Sequence, residues 1–332
     1  MRNRKNICGL GFVLIVFLSI ALLCGCSSAT FAIKDDIKTK TDYITDISDD
    51  AIKELENKGI TELSDLDIDT DELITMMLEK ASWNVSVDDN DTTAKATITV
   101  FHFDTEACSE LLGEKSEEFK NSEERPDLEQ AERFQQGKDD LDQSVAATTE
   151  LKETEIEIIY KKNGDKWVTE EDVSKKVMDI ILSDDEAKSF VEAMNGYSWT
   201  YDNMNASQIL ETMKENGLSI GEIQTYDENT DPNGLLGRPD QYLSKASFID
   251  TRVKDPYGLS KLDGEVNIDM GGTVEVFETA AQAKERENYI DGVTSSYSLG
   301  KMYTYRFCNV LFHVGFDLTP TQAEDYEKAF FE

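Results

Sequence analysis

The chain is short of positive charge. Its 332 residues hold 33 Lys and Arg against 68 Asp and Glu, a formal charge of −35. Nucleic acid is held through basic faces that neutralise phosphates, and anionic lipid attracts basic segments in the same way. A surface this acidic excludes nucleic acid as a partner and excludes adhesion of the protein body to anionic lipid. Histidine is scarce too, with only His102 and His313. Each sits in a strand-like alternating run, where a satisfied or half-exposed His is the ordinary occupant. No Ser-His-Asp or Cys-His set assembles from local sequence. No CxxC or His-rich pair marks a zinc site, and no Gly-rich loop leads from a strand into a helix to cradle phosphates. Neither a metal nor an organic cofactor is expected.

What is present is enough apolar material, 39%, for packed cores, and a length that suits two domains. The charge divides unevenly: residues 1–40 carry +4, residues 41–180 carry −24 and residues 181–332 carry −15. The acidity is a solvated surface spread over both folded units, not an acidic tail. That weakens any claim of one acidic cluster to be a metal or catalytic site.

The opening residues account for the positive excess. Arg2, Arg4 and Lys5 precede an uncharged stretch, residues 6–30, that is mostly apolar from Ile7 to Leu23. This is the charged head and apolar run of a secretory signal, on the short side for a transmembrane helix. It ends in Leu23-Cys24-Gly25-Cys26, which resembles the lipobox of bacterial lipoproteins, with Cys24 standing where Ala or Ser is usual. The resemblance implies that residues 1–25 are a lipoprotein signal peptide, that Cys26 carries the lipid, and that the protein is anchored on the extracytoplasmic face of the cell membrane. Removing the signal leaves −38, a body repelled by an anionic leaflet, so the lipid must supply the attachment. Residues 26–40 read as a lipidated tether. Of the five Cys, Cys108 and Cys308 then remain as thiols. Buried free thiols are the expectation, with a cross-domain disulfide as the alternative that an oxidising compartment permits.

Residues 41–183 read as the first folded unit. Ser48 and Asp69 are N-cap residues ahead of apolar stripes at helical spacing. Residues 83–87 and 94–103 alternate as a hairpin, with Ala96, Ile98, Val100 and His102 on one side. Helices follow over 106–113 and 128–149, then a strand over 155–160, a turn at Asn163-Gly164 and a return strand from Lys166. An apolar run over 173–182 closes the unit. This order, with Gly164-Asp165-Lys166-Trp167 in its last hairpin, resembles the small cone-shaped α+β domains of the NTF2-like superfamily. The superfamily hosts enzymes and non-enzymes, so the likeness implies a fold and no activity. Residues 184–205 read as a linker helix and connection.

Residues 206–332 read as a second unit of order α-β-β-β-α-β-β-α, its first helix ended by Gly217 and its last begun at Thr319-Pro320. Along strand 242–252, Leu243, Lys245, Ser247 and Ile249 alternate with Tyr242, Ser244, Ala246 and Phe248. The fold class expected is therefore α+β, two small α+β domains behind a lipoprotein signal. Several separated motifs of this unit, Asp231-Pro232-Asn233-Gly234-Leu235-Leu236-Gly237-Arg238-Pro239, Gly271-Gly272-Thr273-Val274-Glu275-Val276-Phe277 and the closing Leu318-Thr319-Pro320 with Gln322, Ala323 and Tyr326, resemble a module of Gram-positive surface lipoproteins. The resemblance implies an envelope lipoprotein of unassigned activity and carries no catalytic residue with it.

The loop holding Gly234, Gly237 and Arg238 is the candidate ligand-binding element. Arg238 is the only cation between Lys214 and Lys245, and an Arg framed by Gly and Pro can bind a carboxylate or phosphate. The plainer alternative is that it pairs with Asp231 or Asp240 and fixes the loop. The alternating acids Asp65, Asp67, Asp69 and Asp71 lack the Gly and Glu of an EF-hand loop, as does the run from Asp227; both read as caps and turns. With this many acids, a pair at glycosidase spacing carries no discrimination. The expected function is a membrane-anchored, non-enzymatic binding or interaction module of the cell envelope, with an unknown envelope protein or small ligand as partner. The alternatives are a lipid-anchored hydrolase using paired carboxylates, or a small-ligand binder using an NTF2-like pocket.

Overall fold

The computed structural model describes residues 28–262, 264–294 and 302–331, so the signal segment and Cys26 lie outside the described residues. None of the helices in that range is long and apolar enough to cross a membrane. The fold is α+β, with a four-stranded and a five-stranded antiparallel sheet in succession along the chain and a two-stranded hairpin besides.

Helix α1 (Ser28–Thr45) buries Ala29, Ile33, Ile37, Thr41 and Ile44, a stripe at helical spacing facing the first core. This corrects the tether reading for residues 28–40, residues 26 and 27 lying outside the described residues. Single apolar residues spaced among Lys and Asp look like a solvated spacer, but they stack on one helix face and are 0–1% exposed at Ile33, Ile37 and Ile44. Helices α2 (Asp49–Glu56) and α3 (Thr70–Lys80) start at Ser48 and Asp69, whose side chains accept from Ala51 and Glu72 backbone N–H groups. The acids near Asp69 thus serve as caps and turns.

Strands β1 (Ser82–Asp89), β2 (Thr93–Phe103), β3 (Leu151–Asn163) and β4 (Lys166–Val168) form one sheet in sequence order. Register sets Trp83 opposite Val100 and Val85 opposite Ile98, so that face packs on the helices. The other face carries Lys95 against Glu157 and stays solvated. Between β2 and β3 run α4 (Thr105–Lys120) and α5 (Gln130–Ala147); α4 continues through the polar stretch at Glu114, where sequence patterning stopped. Helices α6 (Val173–Ile181) and α7 (Asp184–Ala193) finish the unit. Ala187, Phe190, Met194 and Tyr197 belong to the first core, whereas Trp199 and Tyr201 belong to the second. The border therefore falls at Ser198, and α7 is not a linker helix.

The second unit comprises α8 (Ala206–Glu215), β5 (Ile220–Thr225), β6 (Ser244–Asp250), a small hairpin of β7 (Lys261–Leu262) and β8 (Glu265–Val266), β9 (Gly271–Val276), α9 (Ala280–Thr294), β10 (Tyr303–Phe307), β11 (Val310–Val314) and α10 (Pro320–Phe331). Its sheet order is β10-β11-β9-β6-β5. The Gly271-Gly272 pair begins β9. A Cβ on Gly271 would lie 1.8 Å from the Phe248 carbonyl oxygen, so glycine is what lets β6 and β9 approach. Ala246, Phe248, Val274 and Phe312 face the apolar core under α8 and α10.

The two units meet through charge-assisted contacts. Arg125 donates to the carbonyls of Gly196 and Ser198 at 3.0 and 2.9 Å, Arg133 donates to Tyr197 and Asp202, and both guanidinium groups lie over the Phe307 ring. Burial pushes Arg125 down to about 10, so it stays charged. Pro126 accepts from the Cys308 N–H at 2.9 Å and Asp127 from Lys284 at 2.6 Å. Cys108 and Cys308 are both buried free thiols.

Candidate functional site

The outward face of the second sheet is polar, yet it is covered. Lys245 and Ser247 on β6, Thr273 and Glu275 on β9 and His313 on β11 are all at most 6% exposed. Alternation places them opposite the apolar core, which ordinarily means solvent. Here α9, the β7–β8 hairpin and the loop of residues 227–243 close over them. Register aligns two rows. Ser247 stands opposite Thr273, Thr273 opposite His313 and His313 opposite Thr304; one step along, Lys245 stands opposite Glu275.

Each charge in the second row has a partner. Lys245 Nζ donates to Asp231 Oδ1 at 2.8 Å. Arg286, reaching down from α9, grips Glu275 with Nε and Nη2 at 3.0 and 3.2 Å, the two-pronged geometry that suits guanidinium and carboxylate. Burial alone would raise the Asp231 carboxyl. Lys245, the Tyr242 hydroxyl and the Leu235 and Leu236 N–H groups outweigh it and hold Asp231 well below the usual carboxylate range. A cavity of about 440 Å³ opens over this floor, with Lys245, Glu275, Arg286 and His313 in its polar lining and Val266, Ile268 and Ile290 among its apolar walls.

His313 is the unusual member. Its Nδ1 lies 3.2 Å from the Thr304 hydroxyl, while Nε2 is buried with no hydrogen-bond partner among the described residues. Burial, reinforced by Arg286 and Lys245 and opposed by Glu275, pushes its pKa down to about 4, so the ring is neutral. A buried polar atom without a partner is costly and rare. His102 makes the contrast. Its Nδ1 donates to the Phe103 carbonyl at 3.1 Å and its Nε2 accepts from the Thr154 hydroxyl at 3.1 Å, which fixes the tautomer and leaves nothing over. His102 is the satisfied strand histidine that the sequence suggests; His313 is not.

The candidate loop sits beside the cavity, but Asp231 organises it. The Asp231 carboxylate accepts from the N–H groups of Leu235 and Leu236 at 2.8 and 3.0 Å and from the Tyr242 hydroxyl at 2.6 Å. Gly234 and Gly237 adopt φ of 59° and 74°, the left-handed turns that glycine permits. Arg238 is exposed and is not among the residues that line the cavity. Among the described residues it pairs with neither Asp231, which is spent on Lys245, nor Asp240, which accepts from Gln282 at 3.5 Å. The loop is fixed by Lys245 from the adjoining strand. Cys26 lies outside the described residues.

Sequence reasoning missed Lys245, Glu275, Arg286 and His313 as a group. The signal was present in part, since Lys245 and Ser247 share a strand face with no apolar partner nearer than Leu243 and Ile249. Among the described residues no cluster of His, Cys, Asp and Glu is placed to hold a metal ion. Compared with protein-family models, with curated proteins and with solved structures, the chain matches none.

Proposed function

We propose that this chain is an envelope lipoprotein, anchored through Cys26 on the extracytoplasmic face of the cell membrane, that binds a small polar ligand in the cavity over the second sheet. The observation that carries the reading is the partnerless Nε2 of His313, buried at the floor of a cavity ringed by prearranged ion pairs. A site with convergent polar groups inside apolar walls is what ligand recognition needs, and a ligand hydrogen bond would satisfy this orphaned nitrogen. Glu275, the buried carboxylate of the cavity, is clamped by Arg286, an arrangement suited to holding a ligand more than to moving a proton. This favours binding over a carboxylate hydrolase. It also favours the second domain over the first, whose hollow beside His102 is lined by satisfied polar groups such as Lys152 paired to Glu106.

The test is differential scanning fluorimetry of the detergent-purified full-length chain with a panel of amino acids, sugars, sugar phosphates, nucleosides and polyamines. At least one compound should raise the melting temperature of the wild type and leave that of His313→Phe unmoved. A panel in which both proteins respond alike would overturn the reading. Anchoring is tested by metabolic labelling with a palmitate analogue; label retained in Cys26→Ala would sink it.

A further inference from the structure

We infer that the ligand of this cavity is a neutral polyhydroxylated molecule, a mono- or disaccharide, an inference that rests on the binding reading above and names what the site takes. Charge balance decides first. Both cations at the floor already have partners, Lys245 with Asp231 at 2.8 Å and Arg286 with Glu275 at 3.0 and 3.2 Å. A carboxylate or phosphate would bury a second negative charge beside a cation that Asp231 or Glu275 already neutralises, which is strongly unfavourable. It would also approach a chain whose formal charge of −35 repels anions. An ammonium ligand faces the mirror problem, since it would compete with Lys245 and Arg286 for the same two carboxylates. A neutral dipolar ligand displaces neither pair.

The hydrogen-bonding capacity left over is of the kind hydroxyl groups meet. Among the described residues Lys245 spends one of its three N–H donors on Asp231 and Arg286 two of its five on Glu275, and Glu275, which accepts only from Arg286, retains lone pairs, whereas the Asp231 carboxylate is fully engaged. His313 offers Nε2 as donor or acceptor according to its tautomer, and a hydroxyl can both donate and accept, so it satisfies either form. Val266, Ile268 and Ile290 supply an apolar wall for a C–H face. A volume of about 440 Å³ suits a ligand of this size.

The experiment is isothermal titration of the detergent-purified full-length chain with glucose, galactose, mannose, N-acetylglucosamine, maltose and cellobiose, and with glucuronate and glucosamine as charged counterparts. At least one neutral sugar should bind, with its charged counterparts weaker by at least about tenfold, because each disturbs a buried pair. Binding should be lost in His313→Phe and in Ile290→Trp, which blocks the cavity from the half-exposed face of α9 and does not touch the buried row. Failure of every neutral sugar to bind overturns the inference, as does sugar binding that survives both substitutions. If a charged compound of the wider panel binds instead and is lost in both variants, the ligand class is wrong and the cavity reading stands. If no compound of any class responds to the two variants, both fall together.

Discussion

The orphaned imidazole of His313 makes protein stability depend on pH in a calculable window. In the unfolded chain His313 titrates near 6.5, whereas burial in the fold pushes it down to about 4. Between these values the unfolded chain binds a proton that the folded one refuses, so stability falls as pH falls. Above about 6.5 the ring is neutral in both states and adds nothing; below about 4 the loss is complete. Each pH unit of the interval is worth about 1.4 kcal/mol, so the full interval costs roughly 3–4 kcal/mol, most of it lost by pH 4.5. Asp231 acts in a separate and lower window. Its carboxyl is held below the ordinary carboxylate range, so its contribution is present above that range and fails only as pH drops through it. The assay is urea unfolding followed by tryptophan fluorescence, at several values between about pH 7.5 and pH 4.5. The chain has two histidines, so three variants resolve them: His313→Gln, His102→Gln and the histidine-free double variant. Burial lowers His102 as well, and its own variant removes that share. Wild type should lose roughly 2–3 kcal/mol more than His313→Gln across the range. If His313→Gln follows the wild-type slope, the buried neutral imidazole is wrong, and with it the account of the cavity floor.

Asp231→Asn should cost about 3–5 kcal/mol because it leaves Lys245 buried without its carboxylate, while Arg238→Gln on the same loop should stay within about 0.5 kcal/mol; equal shifts in denaturation midpoint would contradict the assignment of Asp231 as the loop's organiser. Ile37→Ala in α1 should cost about 2–5 kcal/mol as a buried truncation, and Phe31→Ala, 73% exposed on the same helix, should cost little. A tether would be indifferent to both, so an unshifted midpoint in Ile37→Ala refutes the placement of α1 in the core. Gly271→Ala forces a methyl against the Phe248 carbonyl and should cost at least about 1–3 kcal/mol; retention of the wild-type melting temperature would show that β6 and β9 are not packed this closely.

Much of the fold was legible because its signals are local. Ser48 and Asp69 announce helix starts through side-chain oxygens that reach backbone N–H groups three residues on. Asn163-Gly164 turns β3 into β4, with Gly164 at φ 62°. Gly217, at φ 96°, ends α8 as its position suggests. The candidate site was not legible, and the reason lies with Lys245 and Glu275. An alternating strand with charged residues on one face reads as half-solvated, and nothing in β6 or β9 says that α9 will lie over that face and bring Arg286 to Glu275. Arg238 drew notice because it is isolated in sequence, yet isolation from other cations says nothing about burial, and the loop's acid is met by Lys245, which follows it by 14 residues. The same blindness hid α1, whose Ile33, Ile37 and Ile44 form a buried stripe only if the segment is helical and a core is there to receive it.

By itself, the sequence determined the class of the protein. Its α+β architecture, its two apolar cores and the acidity spread over both follow from periodicity, capping and charge, which depend on neighbours within a few positions. Tertiary structure alone decided which polar residues are buried, where one core ends at Tyr197 and the next begins at Trp199, and that the His313 Nε2 has no partner among the described residues on a floor of matched charges. Burial depends on what covers a residue, and the cover comes from parts of the chain that local patterns cannot name.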